Sequence, residues 1–476
     1  MARLVVVSNR VAKIEKRGSP SSGGLAMALQ SALKEQDGFW FGWSGERVEQ
    51  ANLKPRQDRI AGVNIAQLDL EPQDVDEYYN GFANRTLWPL CHYRMDLAEY
   101  ERSFNAGYLR VNERFAQSLA PLLCEDDVIW VHDYHLIPLG AALRELGFAN
   151  RIGFFLHIPW PARELFTTLP RHHKLVESMF AYDIVGFQSE CWLRAFEDYV
   201  TGELNLTVGS DGVIEAPRRD VLARAYPIGL NVTEMRELGK SDAALEACNA
   251  MRSKNSETAL LLGVDRIDYS KGLPQKFDAF GQFLSDNSDR RGRVSLLQIG
   301  QPSRTEVDAY RELNETLQAK AGAINAEFGT LNWSPLRYRN QSQGRDALAG
   351  AYQAADVMLV TPLRDGMNLV AKEFVAAQDP SDPGVLILSR FTGAAEQMRE
   401  ALLVNPYSRE DVADAIRQAL DMPLSERIVR WKALYNGICR EDLDHWKESF
   451  LRDLTGPQIP AEEPRDLAEP LYNSWR

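Results

Sequence analysis

The sequence is short of cysteine, of long apolar runs and of positive charge, and each shortage closes off a class of protein. Five cysteines (Cys91, Cys124, Cys191, Cys248 and Cys439) are scattered over 476 residues with no C-x-x-C pair. That excludes a disulfide framework and a cysteine-based metal site, and suits a reducing compartment. No segment approaches the roughly 20 apolar residues that a bilayer span needs. The opening apolar run at 4–7 is too short for a signal or an anchor and reads as a strand. We therefore expect a soluble, cytoplasmic chain. Lys plus Arg is 54 against 67 Asp plus Glu, a net charge of −13, which argues against nucleic acid or an anionic membrane as partner. An anionic ligand must then be held by a few local cations. No G-x-G-x-x-G follows the first strand, which argues against a dinucleotide oxidoreductase. Two acidic triplets, Asp74-Val75-Asp76 and Asp442-Leu443-Asp444, lie in polar, helix-like contexts away from strand ends. They read as solvated or capping carboxylates, and no metal is expected.

What is present is a regular alternation. Short β-branched runs at 4–7, 39–43, 128–132, 152–158, 184–188, 259–264, 294–299, 357–361 and 385–389 predict strands. Amphipathic stretches at 25–34, 109–123, 189–200, 273–284 and 305–321 predict helices between them. Such alternation predicts parallel sheets with right-handed crossovers, an α/β class. The chain is too long for one core, and the pattern breaks at Tyr226-Pro227-Ile228-Gly229 before resuming at Ala259. Two Rossmann-like, doubly wound domains facing a central cleft are expected, 1–229 and 230–440. A helical tail, 441–476, is expected to cross back onto the first domain.

The chemistry-bearing residues collect where strands end. Thr361-Pro-Leu-Arg-Asp365-Gly366-Met367-Asn368-Leu369-Val370-Ala371-Lys372-Glu373 reads as strand, tight turn and helix. It places an acid and free backbone N–H groups at the carboxyl edge of a parallel sheet, where open α/β folds bind ligands and helix N-termini attract anions. Asp265-Arg266-Ile-Asp268-Tyr-Ser-Lys271-Gly272 sets two cations on a loop after another strand. They could neutralise a departing diphosphate, or pair with Asp265 and Asp268 as plain surface charges. Arg10 after the first strand, Gly23 and Gly24 before a helix, and Arg304 after a third strand are candidate phosphate contacts. His132-Asp133-Tyr134-His135 and His157 sit at two more strand ends. Their spacing does not suit zinc, and they read as the lining of a substrate cleft. Asp76-Glu77-Tyr78-Tyr79-Asn80 and Leu87-Trp88-Pro89 supply aromatic faces for a sugar on irregular segments, with one of Tyr78 and Tyr79 reaching a ligand.

These motifs, with Trp40-Phe-Gly-Trp-Ser-Gly45 and Gly153-Phe-Phe-Leu-His157-Ile-Pro159, occur in an order that resembles the trehalose-6-phosphate synthase family. These are retaining glucosyltransferases of GT-B fold, and the likeness runs from Arg3 to about Leu454. The resemblance implies that UDP-glucose and glucose 6-phosphate give α,α-trehalose 6-phosphate and UDP. It implies Gly23, Gly24, Arg266 and Lys271 on the donor diphosphate, and Leu369, Val370 and Glu373 on the nucleoside, with Ala371 and Lys372 in the same segment. Asp365, Gly366, Met367, Asn368 and His157 would surround the donor glucose. Arg10 and Arg304 would grip the acceptor phosphate, and Tyr79, Trp88 and Asp133 its sugar, with Trp88 and His157 selecting the α anomer. Arg266, Lys271, His157 and Asp365 are the catalytic candidates. Gln343 stands where relatives often carry an aromatic beside the base. No cofactor or metal is expected, UDP-glucose being a substrate, and a homodimer or homotetramer is. The rival readings are the same donor with another phosphorylated acceptor, such as glycerol 3-phosphate, and a silent sugar-phosphate sensor.

Overall fold

The computed structural model describes residues 2–11, 33, 38–60, 62–252, 258–302 and 308–456. Gly23, Gly24 and Arg304, most of the helix expected at 25–34, and the start of that expected at 305–321 lie outside them.

Two sheets organise these residues. The first contains β1 (Leu4–Arg10), β2 (Phe39–Arg47), β3 (Arg56–Ile60), β4 (Val63–Leu70), β5 (Val128–His132), β6 (Arg151–Phe155), β7 (Ile184–Phe187), β8 (Val213–Glu215) and β9 (Asp220–Ala225). Its order is β3-β4-β2-β1-β5-β6-β7-β9-β8, parallel except where β3 and β8 pair antiparallel at the two edges. The second contains β10 (Ala259–Arg266), β11 (Val294–Gln301), β12 (Leu336–Asn340), β13 (Val357–Val360), β14 (Val385–Ser389) and β15 (Leu402–Val404). Its order, β12-β11-β10-β13-β14-β15, is parallel throughout. Strand order reverses between β1 and β5 in one sheet and between β10 and β13 in the other, the switch points where such sheets bind ligands.

Central strands such as β5 and β14 are buried along their whole length, so they are written as unbroken apolar runs rather than as alternation. The helices that matter below are α1 (Arg102–Leu119), α2 (Glu190–Glu203), α3 (Leu273–Asp286), α4 (Asp308–Phe328), α5 (Arg345–Ala354), α6 (Leu369–Ala377), α7 (Leu424–Arg440) and α8 (Leu443–Thr455). α2 begins at Ser189, whose side chain accepts from Trp192 N–H and satisfies one of the free first-turn donors. α8 packs on β6 and β7 of the first sheet. A Cβ at Gly153 or Gly186 would collide with the Phe450 ring, so those two strand glycines make the socket for α8. Phe450 then stacks on Trp130 of β5 at 4.7 Å.

Two expectations need correction. The Tyr79 and Trp88 segments are not irregular: Val75–Leu87 is a 13-residue π-helix that runs into the short helix Trp88–Cys91. Its i→i+5 bonding abolishes the period by which a helix is recognised. Asp74 is neither solvated nor a cap. It is 3% exposed and ion-paired to Arg110 and Arg114 of α1, each at 2.7 Å. Asp442 does cap, accepting from His445 N–H at the start of α8.

Candidate active site

The switch-point ends of both sheets face one another, and several side chains reach across. Trp192 of α2 donates its indole N–H to the Gly366 carbonyl at 2.9 Å. Trp88 lies under the Arg266 guanidinium, 5.4 Å from the ring centre, and its indole N–H points at Asp268 Oδ1 at 3.4 Å. Arg364 inserts between Tyr93, at 3.5 Å, and Trp192, at 5.1 Å. The backbones also meet: a Cβ at Gly366 would strike the His157 carbonyl oxygen. Only glycine permits that approach.

On the second sheet's side, β10 ends at Arg266, which is solvent-exposed along part of its length and forms no ion pair among the described residues. Asp265 is taken by Lys276 of α3 at 2.7 Å, both buried, and Asp268 accepts from Ser270 N–H and the Tyr310 hydroxyl. The loop acids therefore hold the loop in shape rather than cancelling its cations. Lys271 is 9% exposed and meets Asp365 Oδ2 at 2.5 Å, which Asn368 Nδ2 also reaches, at 3.0 Å. Burial works to raise the Asp365 carboxyl, but Lys271, His92 and Asn368 outweigh it and hold the group ionised below the ordinary range.

Asn368 sits at φ +81° and caps α6 through Ala371 N–H. A non-glycine residue in that region is strained, as is common at ligand sites. Leu369 and Val370 are half-buried on the first turn of α6, with Met367 buried behind them. Glu373 accepts from the Tyr352 hydroxyl of α5 at 3.0 Å, and burial raises its carboxyl. Lys372, expected beside the donor, has its side chain elsewhere. It is 1% exposed and its ammonium meets the Ile228 carbonyl at 2.8 Å and Gln397 at 2.6 Å. Gln343 lies in the loop between β12 and α5, half-buried.

On the first sheet's side, β5 leads into Asp133 at φ +77°, whose carboxylate accepts from His157 N–H at 3.2 Å. Tyr79 stacks on His135 at 5.8 Å and stands edge-on to Trp43, while Tyr78 is fully buried. Arg10 ends β1 exposed, its guanidinium over Trp43 at 5.5 Å. His157 is engaged at both ring nitrogens, Nε2 with His132 Nδ1 and Nδ1 with Gln188 Nε2, each at 3.1 Å. Burial presses its pKa down to about 3, so the ring is neutral. Among the described residues no three His, Cys, Asp or Glu converge on a metal position, and no helix is long and apolar enough to cross a membrane.

His132, read from the sequence only as cleft lining, completes this arrangement with Gln188, Trp192 and Arg364, to which the sequence reading gave no role. Of these three, only Gln188, just past the end of β7, carried a strand-end signal.

The pattern of glycosyltransferase family 20 matches residues 2–456. The chain belongs to that family. A trehalose-6-phosphate synthase of Sinorhizobium fredii is 48% identical over 96% of this chain and 98% of its own. Among solved structures, an α,α-trehalose-phosphate synthase from Burkholderia xenovorans in complex with glucose 6-phosphate superposes with a TM-score of 0.91. It is 46% identical, over 96% of this chain and 100% of its own. An E. coli relative bound with UDP-2-fluoro glucose gives a TM-score of 0.90 at 43% identity, over 95% and 99% of the two chains. Membership makes the chain a glycosyltransferase, and the two facing sheets are those of a GT-B fold.

Proposed function

We infer that this family 20 enzyme transfers glucose from UDP-glucose to glucose 6-phosphate, giving α,α-trehalose 6-phosphate and UDP. The donor diphosphate is gripped by Arg266 and Lys271 and Glu373 takes the ribose; Gly23 and Gly24, which the family resemblance also assigns to the diphosphate, lie outside the described residues. The acceptor phosphate is bound by Arg10, and its sugar by Tyr79, Trp88 and Asp133; Arg304, assigned to the same phosphate by the family resemblance, lies outside the described residues. Residues 1–229 are then the acceptor side, 230–440 the donor side and 441–476 the tail.

The observation that carries this reading is Arg266. It is the cation of the β10 loop left without a carboxylate among the described residues, and it is suspended over Trp88 from the opposite half. A guanidinium there grips a phosphate in two directions, and Trp88 beneath it holds the guanidinium at the boundary of the two halves. Lys271 carries three N–H donors, enough to keep Asp365 and reach a phosphate oxygen as well. Asp365, held ionised, accepts from hydroxyls of the donor glucose.

No carboxylate is assigned as the nucleophile of a double displacement. The acceptor 1-OH attacks from the face the leaving group departs, forming the C1–O bond as the C1–O bond to UDP breaks. Its proton passes to a diphosphate oxygen. The protein contributes positioning of two sugars and fixed positive charge where UDP gains negative charge. The direct test crosses a panel of nucleotide-glucose donors with phosphorylated acceptors and reads product stereochemistry by NMR. The α,α-linked product from UDP-glucose and glucose 6-phosphate is expected. Preference for glycerol 3-phosphate, or an inverted linkage, would overturn the reading.

A further inference from the structure

The hydrogen bonds behind His157 fix where its proton sits. Gln188 follows β7 and is 2% exposed. Its Oε1 accepts from the Ile228 backbone N–H at 3.1 Å, and its Nε2 lies 3.1 Å from His157 Nδ1. A backbone N–H can only donate, so Ile228 dictates which end of the amide is oxygen. The other end is an NH2, and His157 Nδ1 must accept from it. The proton of the neutral ring is therefore on Nε2, from which it is donated to His132 Nδ1. His132, fully buried, then carries its own proton on Nε2, the atom that has no partner among the described residues.

Ile228 is held from its other side as well. Its carbonyl accepts from Lys372 of α6, whose second contact is Gln397, and Gln397 donates in turn to Glu441. Ile228 stands where the chain first leaves the first sheet for the second half, and Glu441 where it returns to α8. One chain of contacts thus runs from the cleft to both crossings.

We propose that Gln188 is a positioning residue for glucosyl transfer: keyed by the Ile228 N–H of the first crossing, it holds His157 as the Nε2–H tautomer and ties the ring's orientation to the hinge. This rests on the reading that His157 borders the donor glucose. A shift of the two halves that moves Ile228 must carry Gln188 with it or break one of its contacts. His157 then adopts its working orientation only when the crossing is in place.

The test is tautomer-sensitive 1H–15N spectroscopy of the full chain labelled at histidine, combined with steady-state kinetics; with seven histidines the spectrum is assignable by single substitutions. In the unsubstituted enzyme His157 and His132 should both be protonated at Nε2 and bare at Nδ1. Gln188→Glu keeps an acceptor for Ile228 but offers His157 no N–H, so the His157 proton should move to Nδ1. Turnover should fall about tenfold, the value of one hydrogen bond, with the KM for glucose 6-phosphate held within about twofold. Gln188→Leu, which brings no buried charge, should lower turnover at least as much. An Nδ1–H His157 in the unsubstituted enzyme overturns the proposal, as does full turnover in both Gln188 variants. His157→Ala separates the two readings. Full turnover there removes His157 from the donor site and with it the transfer role of Gln188, whereas lost turnover beside unimpaired Gln188 variants overturns the positioning role alone.

Discussion

At Gly366 a single methyl group probes how closely the two halves must meet. Its α-carbon faces the His157 carbonyl, backbone against backbone, so neither neighbour is a flexible tip that can swing aside. Gly366→Ala is expected to hold the halves apart and misplace Asp365 relative to the donor. Turnover should fall by up to about a hundredfold, the effect of a misplacement near 1 Å. Wild-type turnover in that variant would show that the contact is not needed for reaction. The single residues also explain how a chain of net charge −13 can hold an anionic donor. Asp265 and Asp268 are spent on Lys276 and Tyr310, which leaves Arg266 as local positive charge against the global field.

Helix α8 is the element on which the first sheet depends. Phe450 fills the socket left by Gly153 and Gly186 and stacks on Trp130, and Trp446 beside it packs 6.2 Å from His157. Phe450→Ala should destabilise the chain by about 3–5 kcal/mol, the usual range for a buried aromatic removed without collapse of its site. Denaturant unfolding measures this, and a loss within about 1 kcal/mol would mean that the socket closes over.

Elements of this kind divide by how they are written in the sequence. β5 and β14 are legible, with their bounds, because a strand buried on both faces is an unbroken apolar run. β3 reads Arg-Gln-Asp-Arg-Ile and is almost wholly exposed, and β12 is Leu-Arg-Tyr-Arg-Asn at the edge of its sheet, so neither carries an apolar pattern. The π-helix hides for lack of a 3.6-residue period. In the site, strand-end motifs stand out because parallel sheets put function there. The ties of Gln188 to Ile228 and of Lys372 to the same residue span 40 and 144 positions, and spacing along the chain says nothing about such pairs.

For the molecule as a whole, the buried histidines set a direction for acid sensitivity. Burial pushes His92 down to about 4 and His157 to about 3, and it holds His132 well below the ordinary range, with His157 adding to the effect. In the unfolded chain all three take up protons below about pH 6.5. The unfolded state thus binds more protons than the native one across that window, and stability falls as pH is lowered. The thermal midpoint should drop between pH 7 and pH 5, before most carboxylates titrate. A midpoint that is flat or rises over that interval would mean that these imidazoles are not held neutral in the native state.

Two facing sheets meet along a gap whose donor-side cations, Arg266 and Lys271, come from the second half, and the central claim is that they grip a pyrophosphate there without a divalent ion. Calorimetric titration of UDP into the full chain in excess EDTA, beside the Arg266→Ala/Lys271→Ala double variant, tests it most directly. Binding without metal is predicted, with affinity lower by about a hundredfold or more in the double variant, as two charge-assisted contacts would give. Binding restored only by a divalent ion, or undiminished in the double variant, would contradict the account.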